Sequence, residues 1–455
     1  MKEAERLRKI RRLKQLVLLK VSPNASEAWA EKKFAGRVVN GLQTALPRAR
    51  VTFVGSAARD TGLKGDNDID VFAAWPREMR EEEIVRKTFE AARKTLRAKW
   101  ETHYAEHPYL QARVGKYKVE VIPCFSIAPH EGIKSAVDRS PLHMAFLQER
   151  LSSEQRKDVR VLKQFLKNAG LYGAELAIQG FSGLLCEYLI LNYRTFENLA
   201  ENAAQWKPPV VIRFDPADSE NKKFDAPLVL IDAVDRNRNV AAVVSETNVH
   251  RFISLCRAFL KAPSEKFFFF ARKSVSKSVL LKKMRERKTH FVLIDVKAPA
   301  VVEDILVPQL RRTQKTLERH LQLAGFVVFG SQSFCANAKC FILFELLSEK
   351  TPTLKKEGGP PAWNEKAVNQ FLKARTRVAR GPFVDGARVA VETIAEPLSP
   401  KEFFRKAFAK PGKIGVASFF AKPVRKARVL ENEKVLQKQA LGGIADYLLK
   451  REFWW

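Results

Sequence analysis

Apolar residues change period several times along this chain, and each change predicts an element. Residues 1–50 look like two helices, the second with Trp29, Phe34, Val38 and Leu42 near helical spacing and closed by Pro47. The continuous run Val51–Val54 then predicts a strand that stops at Gly55-Ser56. A polar turn with Gly62 and Gly65 follows, and Asp68-Ile69-Asp70-Val71-Phe72 alternates as a strand does. Helical spacing returns over Glu81–Trp100, where Ile84, Val85, Phe89, Ala92 and Leu96 line one face. Tyr109–Val114 and Tyr117–Phe125, joined at Gly115-Lys116, predict a β-hairpin whose ladder Pro123 closes.

Residues 144–262 read as mainly helical. Helices are expected over Leu151–Leu171, with Gly170 as its C-cap, over Ala174–Leu199, which contains Ser182, Cys186 and Tyr188, and over Glu246–Leu260. Short strands are expected at Val210–Phe214 and Leu228–Asp232, before the polar loop Asp235–Asn239. Beyond Pro263, strands are expected at Phe267–Phe270 and Phe291–Val296, around a basic helix Ser278–Lys288. Pro308–Ala324 reads as a helix, Phe326–Phe329 with Ala338–Leu347 as a hairpin, Lys355–Trp363 as a Pro/Gly loop, and Asn364–Arg377 as a basic helix. No apolar run reaches the eighteen or so residues of a membrane span, and Leu16–Leu19 is too short for a signal-peptide core, so a cytoplasmic location is expected.

The chemistry concentrates in residues 51–72. Side chains two apart in a strand share a face, so Asp68 and Asp70 point together while Ile69 and Val71 anchor the core. Paired carboxylates repel unless a cation lies between them, and a Gly-Ser turn offers backbone N–H groups to an anion. That combination suggests metal-assisted phosphoryl or nucleotidyl transfer. A calcium loop starting at Asp66 fails, because Val71 stands where it needs Gly and Arg77 where it needs Glu. A D-x-D pair read alone is more often a solvated turn. On the hairpin, Lys118, Glu120 and Ile122 share one face, and Glu120 is the candidate third carboxylate, with Asp66 as the alternative. His103 and His107 lie four apart without the H-E-x-x-H pattern and read as local polar anchors.

Charge adds a partner. Lys and Arg number 81 against 50 Asp and Glu in 455 residues, a net +31, which favours a polyanion and points to nucleic acid ahead of membrane. The C-terminal arm interleaves Lys401, Arg405, Arg425 and Arg428 with Phe403, Phe404, Phe419 and Phe420, a pattern that suits RNA, although core packing explains most of those rings. Five scattered cysteines argue against a disulfide framework or zinc site; Cys335 and Cys340 could meet in a hairpin, but buried free thiols are the leading reading.

Taken together, GSAARDTGLKGDNDIDVF (55–72), HYAEHPY (103–109), VEVIPCF (119–125), IKSAVDRSPLHMAFL (133–147), KQFLKNAGLYGAE (163–175), GFSGLLCEYLI (180–190), DAVDRNRNVAA (232–242) and FLKARTRVARGPFVDGARVAVE (371–392) make a pattern that spans nearly the whole chain. It closely resembles the archaeal-type (class I) CCA-adding enzymes, tRNA nucleotidyltransferases of the polymerase-β superfamily. The resemblance implies an α+β multidomain fold: a polymerase-β-type nucleotidyltransferase head (1–143), a helical neck (144–262), and an α/β body and tail (263–455) that bind tRNA. It further implies template-independent addition of C, C and A to the tRNA 3′ end from CTP and ATP, on a partner held by its acceptor-TΨC half. Asp68, Asp70 and Glu120 would be catalytic and bind two Mg²⁺ ions. Gly55, Ser56 and Arg59 would hold the triphosphate, Ser140, His143, Lys163 and Tyr172 would contact the nucleotide, and Arg238 would read the base. Family members often carry Glu first and Asp third in the triad, so Asp68 and Glu120 each move the charge by a methylene. A homodimer is among the oligomeric states the resemblance allows. The alternatives are another terminal transferase such as a poly(A) polymerase, and a tRNA-binding protein without catalysis.

Overall fold

A computed structural model describes residues 3–104, 107–127, 132–214, 224–271, 275–375 and 377–455. The chain forms two compact units, Met1–Ala271 with Phe453–Trp455, and Arg272–Glu452.

The first unit opens with helices α1 (Glu3–Val21) and α2 (Ala25–Ala45). Asn24 accepts from the Glu27 backbone N–H and the Glu27 side chain reaches back, a capping box that fixes where α2 starts. Next come β1 (Arg50–Val54), the single turn α3 (Gly55–Ala58), β2 (Asp68–Trp75), α4 (Glu81–Thr95), β3 (Trp100–Tyr104), β4 (Pro108–Val114) and β5 (Tyr117–Phe125). These strands form one sheet in the order β1-β2-β5-β4-β3, with β2 and β5 parallel and the other pairs antiparallel. Val38 and Leu42 of α2, and Ile84, Phe89 and Ala92 of α4, cover one face over Ile69, Val71, Val119 and Val121. The other face carries a smaller apolar cluster, Phe72, Ile122 and Cys124 with Met144. Two sequence expectations change here. The helix predicted to reach Trp100 ends at Thr95, because Trp100 joins the sheet opposite Ala112 and its indole N–H is held by the Leu96 carbonyl. The ladder also runs past Pro123 to Phe125. β4 leaves off at Leu110 opposite Val121, so Pro123 has only β2 beside it and its missing N–H is tolerated.

A helical core follows, from α5 (Arg139–Arg150), α6 (Ser153–Ala169), α7 (Gly183–Tyr193), α8 (Phe196–Ala203) and α9 (Glu246–Lys261), with a parallel strand pair β6 (Val210–Ile212) and β7 (Leu228–Leu230). Ser152 caps the start of α6, and Gly170 ends it in the left-handed conformation, as expected. The single helix expected over 174–199 is two. Ser182 caps the first, Arg194 at φ 72° breaks the chain direction, and Thr195 caps the second. The strand expected at Phe267–Phe270 does not form. Phe267 and Phe268 leave a 3₁₀ turn to fill the helical core, where Phe165 meets Phe196, Phe259, Phe267 and Phe268 at centroid distances of 5.3–6.3 Å. Helix α1 packs into this same core through Ile10, Leu13, Val17 and Val21. Its Lys14 sits 2.6 Å from Asp158 and 2.7 Å from Glu197.

The second unit holds α10 (Lys277–Arg287), β8 (His290–Lys297), α11 (Glu303–Ala324), β9 (Val328–Ala336), β10 (Lys339–Leu346), β11 (Leu354–Pro361), α12 (Glu365–Lys373), β12 (Val378–Asp385), β13 (Arg388–Ile394), α13 (Pro400–Ala409), α14 (Ser418–Ala421), β14 (Arg428–Glu431) and α15 (Leu441–Leu448). Its two sheets, β14-β8-β10-β9 and β11-β13-β12, are antiparallel. The Pro/Gly segment expected as a loop is the edge strand β11, a position where a missing N–H costs no ladder bond. Cys335 and Cys340, expected as free thiols, face each other across the β9–β10 hairpin and are disulfide-bonded, whereas Cys124, Cys186 and Cys256 are free and buried. Phe404 and Phe420 are fully buried, Phe403 packs half-buried against the same core and Phe419 is exposed, so core packing accounts for three of the four rings in the basic arm. Among the described residues no helix is long and apolar enough to cross a membrane.

Phe165 marks where the helical core is densest. Phe165→Ala should cost about 3–5 kcal/mol and lower the melting temperature measured by calorimetry, and an unchanged melting profile would contradict this packing account.

Candidate active site

Parallel pairing of β2 with β5 sets Asp70 opposite Glu120 and Asp68 opposite Lys118. Strand alternation sends Ile69, Val71, Val119 and Val121, all at 0% exposure, into the core under α2 and α4. Asp68, Asp70 and Glu120 are thereby left together on the opposite face. Gly55, at the end of β1, has φ 85°, and a Cβ there would lie 2.3 Å from Asp70 Oδ2. Only glycine permits both the backbone angle and the approach. Ser56 follows in the α3 turn, where its carbonyl accepts the Thr61 N–H at 2.9 Å.

These carboxylates crowd one another. Burial, then the charges of Glu120 and Asp68, push the Asp70 carboxyl up to about 7. Lys118 answers part of that charge, with its Nζ 2.7 Å from Glu120 Oε1 and 4.0 Å from Asp68 Oδ1. Among the described residues no three metal-capable side chains converge on a single point, and the Lys118 ammonium lies against the third carboxylate. The donor set itself suits a divalent cation such as Mg²⁺: three hard oxygen ligands whose mutual repulsion a cation relieves. Asp66, the alternative third carboxylate, is engaged elsewhere. It accepts the Leu63 backbone N–H at 3.2 Å and lies 3.9 Å from Lys167.

Two buried acids that the sequence reading passed over organise the remaining candidates. Glu187 on α7, at 0% exposure, takes Arg59 Nε at 3.0 Å and Nη2 at 2.9 Å, along with the Thr61 hydroxyl. Arg59 Nη1 faces the Met144 sulfur at 3.9 Å. Lys163 on α6 is buried beside Glu187, and its Nζ donates to the Thr61 carbonyl at 2.9 Å. Burial lowers the Lys163 pKa and raises that of the neighbouring Tyr172 hydroxyl. Both side chains approach Gly183, at 3.7 Å (Lys163 Nζ) and 3.3 Å (Tyr172 Oη) from where a Cβ would stand.

The second acid, Asp232, lies just past β7 and is also fully buried. His143 Nε2 is 2.9 Å from both of its oxygens, Arg238 Nη1 is 2.8 Å from Oδ2, and the Tyr188 hydroxyl donates to Oδ1 at 3.1 Å. Burial works against its charge, yet the bonds from His143 and Arg238 hold its carboxyl down at about 2. Ser140 sits half-buried on α5, three residues before His143 and so on the same side of the helix. Beside this cluster a cleft of about 960 Å³ is lined by Lys134, Arg139, Phe146, Arg150, Asp235 and Arg236. The predicted residues thus fall into three groups: carboxylates on the sheet, Arg59 with Lys163 and Tyr172 around Glu187, and His143 with Arg238 around Asp232. Each buried acid carried a signal, since a charge inside LLCEYLIL or at the end of LVLID has to meet a cation. His107 behaves as a local anchor, with Nδ1 3.1 Å from Glu81, whereas the buried Nε2 of His103, 3.7 Å from Glu101, has no hydrogen-bond partner among the described residues; Glu106 lies outside the described residues.

A mixed sheet with acids on adjoining parallel strands and a glycine turn against them defines the nucleotidyltransferase class, and residues 36–143 match the family model of the nucleotidyltransferase domain. Residues 157–269 match the second domain of tRNA nucleotidyltransferase, and residues 287–417 match the C-terminal domain of CCA-adding enzyme. The CCA-adding enzyme of Methanoregula boonei is 35% identical over 449 residues, covering 96% of this chain and 95% of the relative. That of Methanocaldococcus jannaschii is 36% identical over 380 residues, 80% of this chain and 83% of the relative. The chain belongs to the CCA-adding enzyme family.

The Asp70 shift sets a stability test in chelator. A carboxyl raised in the folded state favours folding when protonated, so stability is lost as pH rises from about 4 through about 7. Asp70→Asn should therefore melt a few degrees above the wild type at pH 8 and close to it at pH 4.5 by calorimetry. A variant less stable than the wild type at pH 8 would remove the charge-crowding argument.

Proposed function

We propose that the protein completes the 3′ end of tRNA, adding C, C and A from CTP and ATP without a nucleic-acid template. The observation that carries this reading is the set Asp68, Asp70 and Glu120 on adjoining parallel strands beside Gly55, in a chain of the CCA-adding enzyme family. Asp68, Asp70 and Glu120 would hold two Mg²⁺ ions. Mg²⁺ bound there supplies a lowered pKa at the tRNA 3′ hydroxyl and neutralises charge at the α-phosphate.

The rest belongs to the chain's own residues. Gly55 and Ser56 let the backbone approach the triphosphate closely. Arg59, fixed through Nε and Nη2 by Glu187, has a second Nη1 hydrogen, beyond the one facing the Met144 sulfur, for a phosphate oxygen. Lys163 and Tyr172, packed against Gly183, and Ser140 and His143 along α5 contact the nucleotide. Arg238 reads the base edge with the N–H donors that Asp232 leaves over. On this reading residues 1–143 are the head, 144–262 the neck, and 263–455 the basic body and tail that hold the acceptor-TΨC half of tRNA, in the cytoplasm. The net +31 charge supports a phosphate-rich partner, and a homodimer is compatible with it.

Incubating the protein with tRNA lacking CCA, together with CTP and ATP, and sequencing the 3′ ends tests the proposal. Ends should finish at CCA. Long A tails would instead make the protein a poly(A) polymerase, and untouched ends a binding protein. Asp70→Ala should abolish incorporation while leaving tRNA affinity within a few-fold.

A further inference from the structure

We infer that Asp232 is a positioning residue for nucleotide choice, holding His143 and Arg238 as one unit whose free nitrogens select the incoming base. The inference rests on the assignment of His143 and Arg238 to the nucleotide made above. Asp232 touches neither a carboxylate of the sheet nor the Arg59 cluster. Its partners are His143 Nε2 at 2.9 Å from both oxygens, Arg238 Nη1 at 2.8 Å, the Tyr188 hydroxyl at 3.1 Å and the Val234 backbone N–H at 3.1 Å.

An ionised carboxylate only accepts hydrogen bonds, so every partner is compelled to donate. Against the cost of burying Asp232, the bonds from His143 and Arg238 hold its carboxyl down at about 2, so it stays ionised throughout the physiological range. Two consequences follow. His143 must donate through Nε2, which leaves Nδ1 as the ring nitrogen available to a ligand. Arg238, which is half-exposed, spends one Nη1 hydrogen on Asp232 and can turn its remaining donors outward in a fixed plane. Tyr188 steadies the pair from behind, edge-on to His143 at 6.0 Å and itself wedged against Phe146 and Phe214. Among the described residues neither the His143 ring nor the Arg238 guanidinium makes a hydrogen bond to any other side chain, so the carboxylate sets both orientations.

Base selection needs that fixed geometry, because C and A differ from U and G in where donors and acceptors stand on the pairing edge. An arginine free to swing can satisfy either pattern, whereas one held in plane cannot.

The test compares kcat/KM for CTP and UTP on tRNA lacking CCA, in the wild type and in Asp232→Asn, which keeps the shape and loses the charge. The CTP preference should fall roughly tenfold, mainly through the CTP KM, as expected for loss of charge-assisted hydrogen bonds. In an Arg238→Ala background the same change should add little further loss, because both act through one unit. An unchanged preference with both substrates slowed equally, the signature of a merely structural role, overturns the inference, as does full additivity with Arg238→Ala. Should Asp232→Asn fail to fold, Tyr188→Phe provides the reading: it removes one bond on the carboxylate and keeps the ring, and a preference unaltered in that variant also overturns it. A wild type that does not incorporate CTP at all would sink the proposed function itself, a result distinct from a selective wild type whose variants stay selective.

Discussion

Like charges can share a half-buried surface only where something of opposite sign reaches them, and the head of this protein is built around that constraint. The parallel β2–β5 register puts Asp70 directly beside Glu120, with Asp68 one alternation away. A slip of one residue would turn all three into the apolar layer under α2 and α4, which the side chains of Ile69, Val71, Val119 and Val121 forbid. Register and the grouping of the three carboxylates are therefore specified by the same alternation. Lys118 offsets part of the repulsion, and burial together with the Glu120 and Asp68 charges still holds the Asp70 carboxyl up at about 7.

The same rule governs the helical part. Glu187 and Asp232 are fully buried acids, and each is stable there only because cations or hydroxyls saturate it. Removing one partner leaves an uncompensated charge in the core, so these clusters act as rigid jigs. Glu187 ties Arg59, from the turn after β1, to α7, while the neighbouring Lys163 reaches the Thr61 carbonyl. Asp232 ties α5 to the loop after β7. Each acid thus connects the nucleotidyltransferase sheet or its flanking helix to the helical core with a bond whose geometry is fixed.

Much of this was legible in the chain itself. Alternation in DIDVF and the Tyr117–Phe125 run gave the two strands and the facing of all three carboxylates, because period-two patterning at a buried sheet leaves little freedom. Helix ends marked by Asn24, Ser152 and Gly170 were legible for the same reason, as caps are local chemistry. What escaped were tertiary decisions. Trp100 was claimed by the neighbouring strand at Ala112, residues 354–361 by the more distant β13, and Phe267 and Phe268 by a helical core whose composition no local window shows. Helix 174–199 was cut in two by a positive φ at Arg194, a residue with no breaker character of its own. Glu187 and Asp232 were visible as charges in apolar runs, but their partners lie 128 and 89 residues away in sequence, at Arg59 and His143.

The central claim of the proposed function is that Asp68, Asp70 and Glu120 hold divalent cations, at a place where Lys118 lies against Glu120. A crystal of the protein with CTP and Mn²⁺, read by anomalous scattering, addresses it most directly. The account predicts manganese bound by the Asp68 and Asp70 carboxylates, with Lys118 drawn away from Glu120. Density for CTP with manganese elsewhere, and Lys118 still bonded to Glu120, would contradict it.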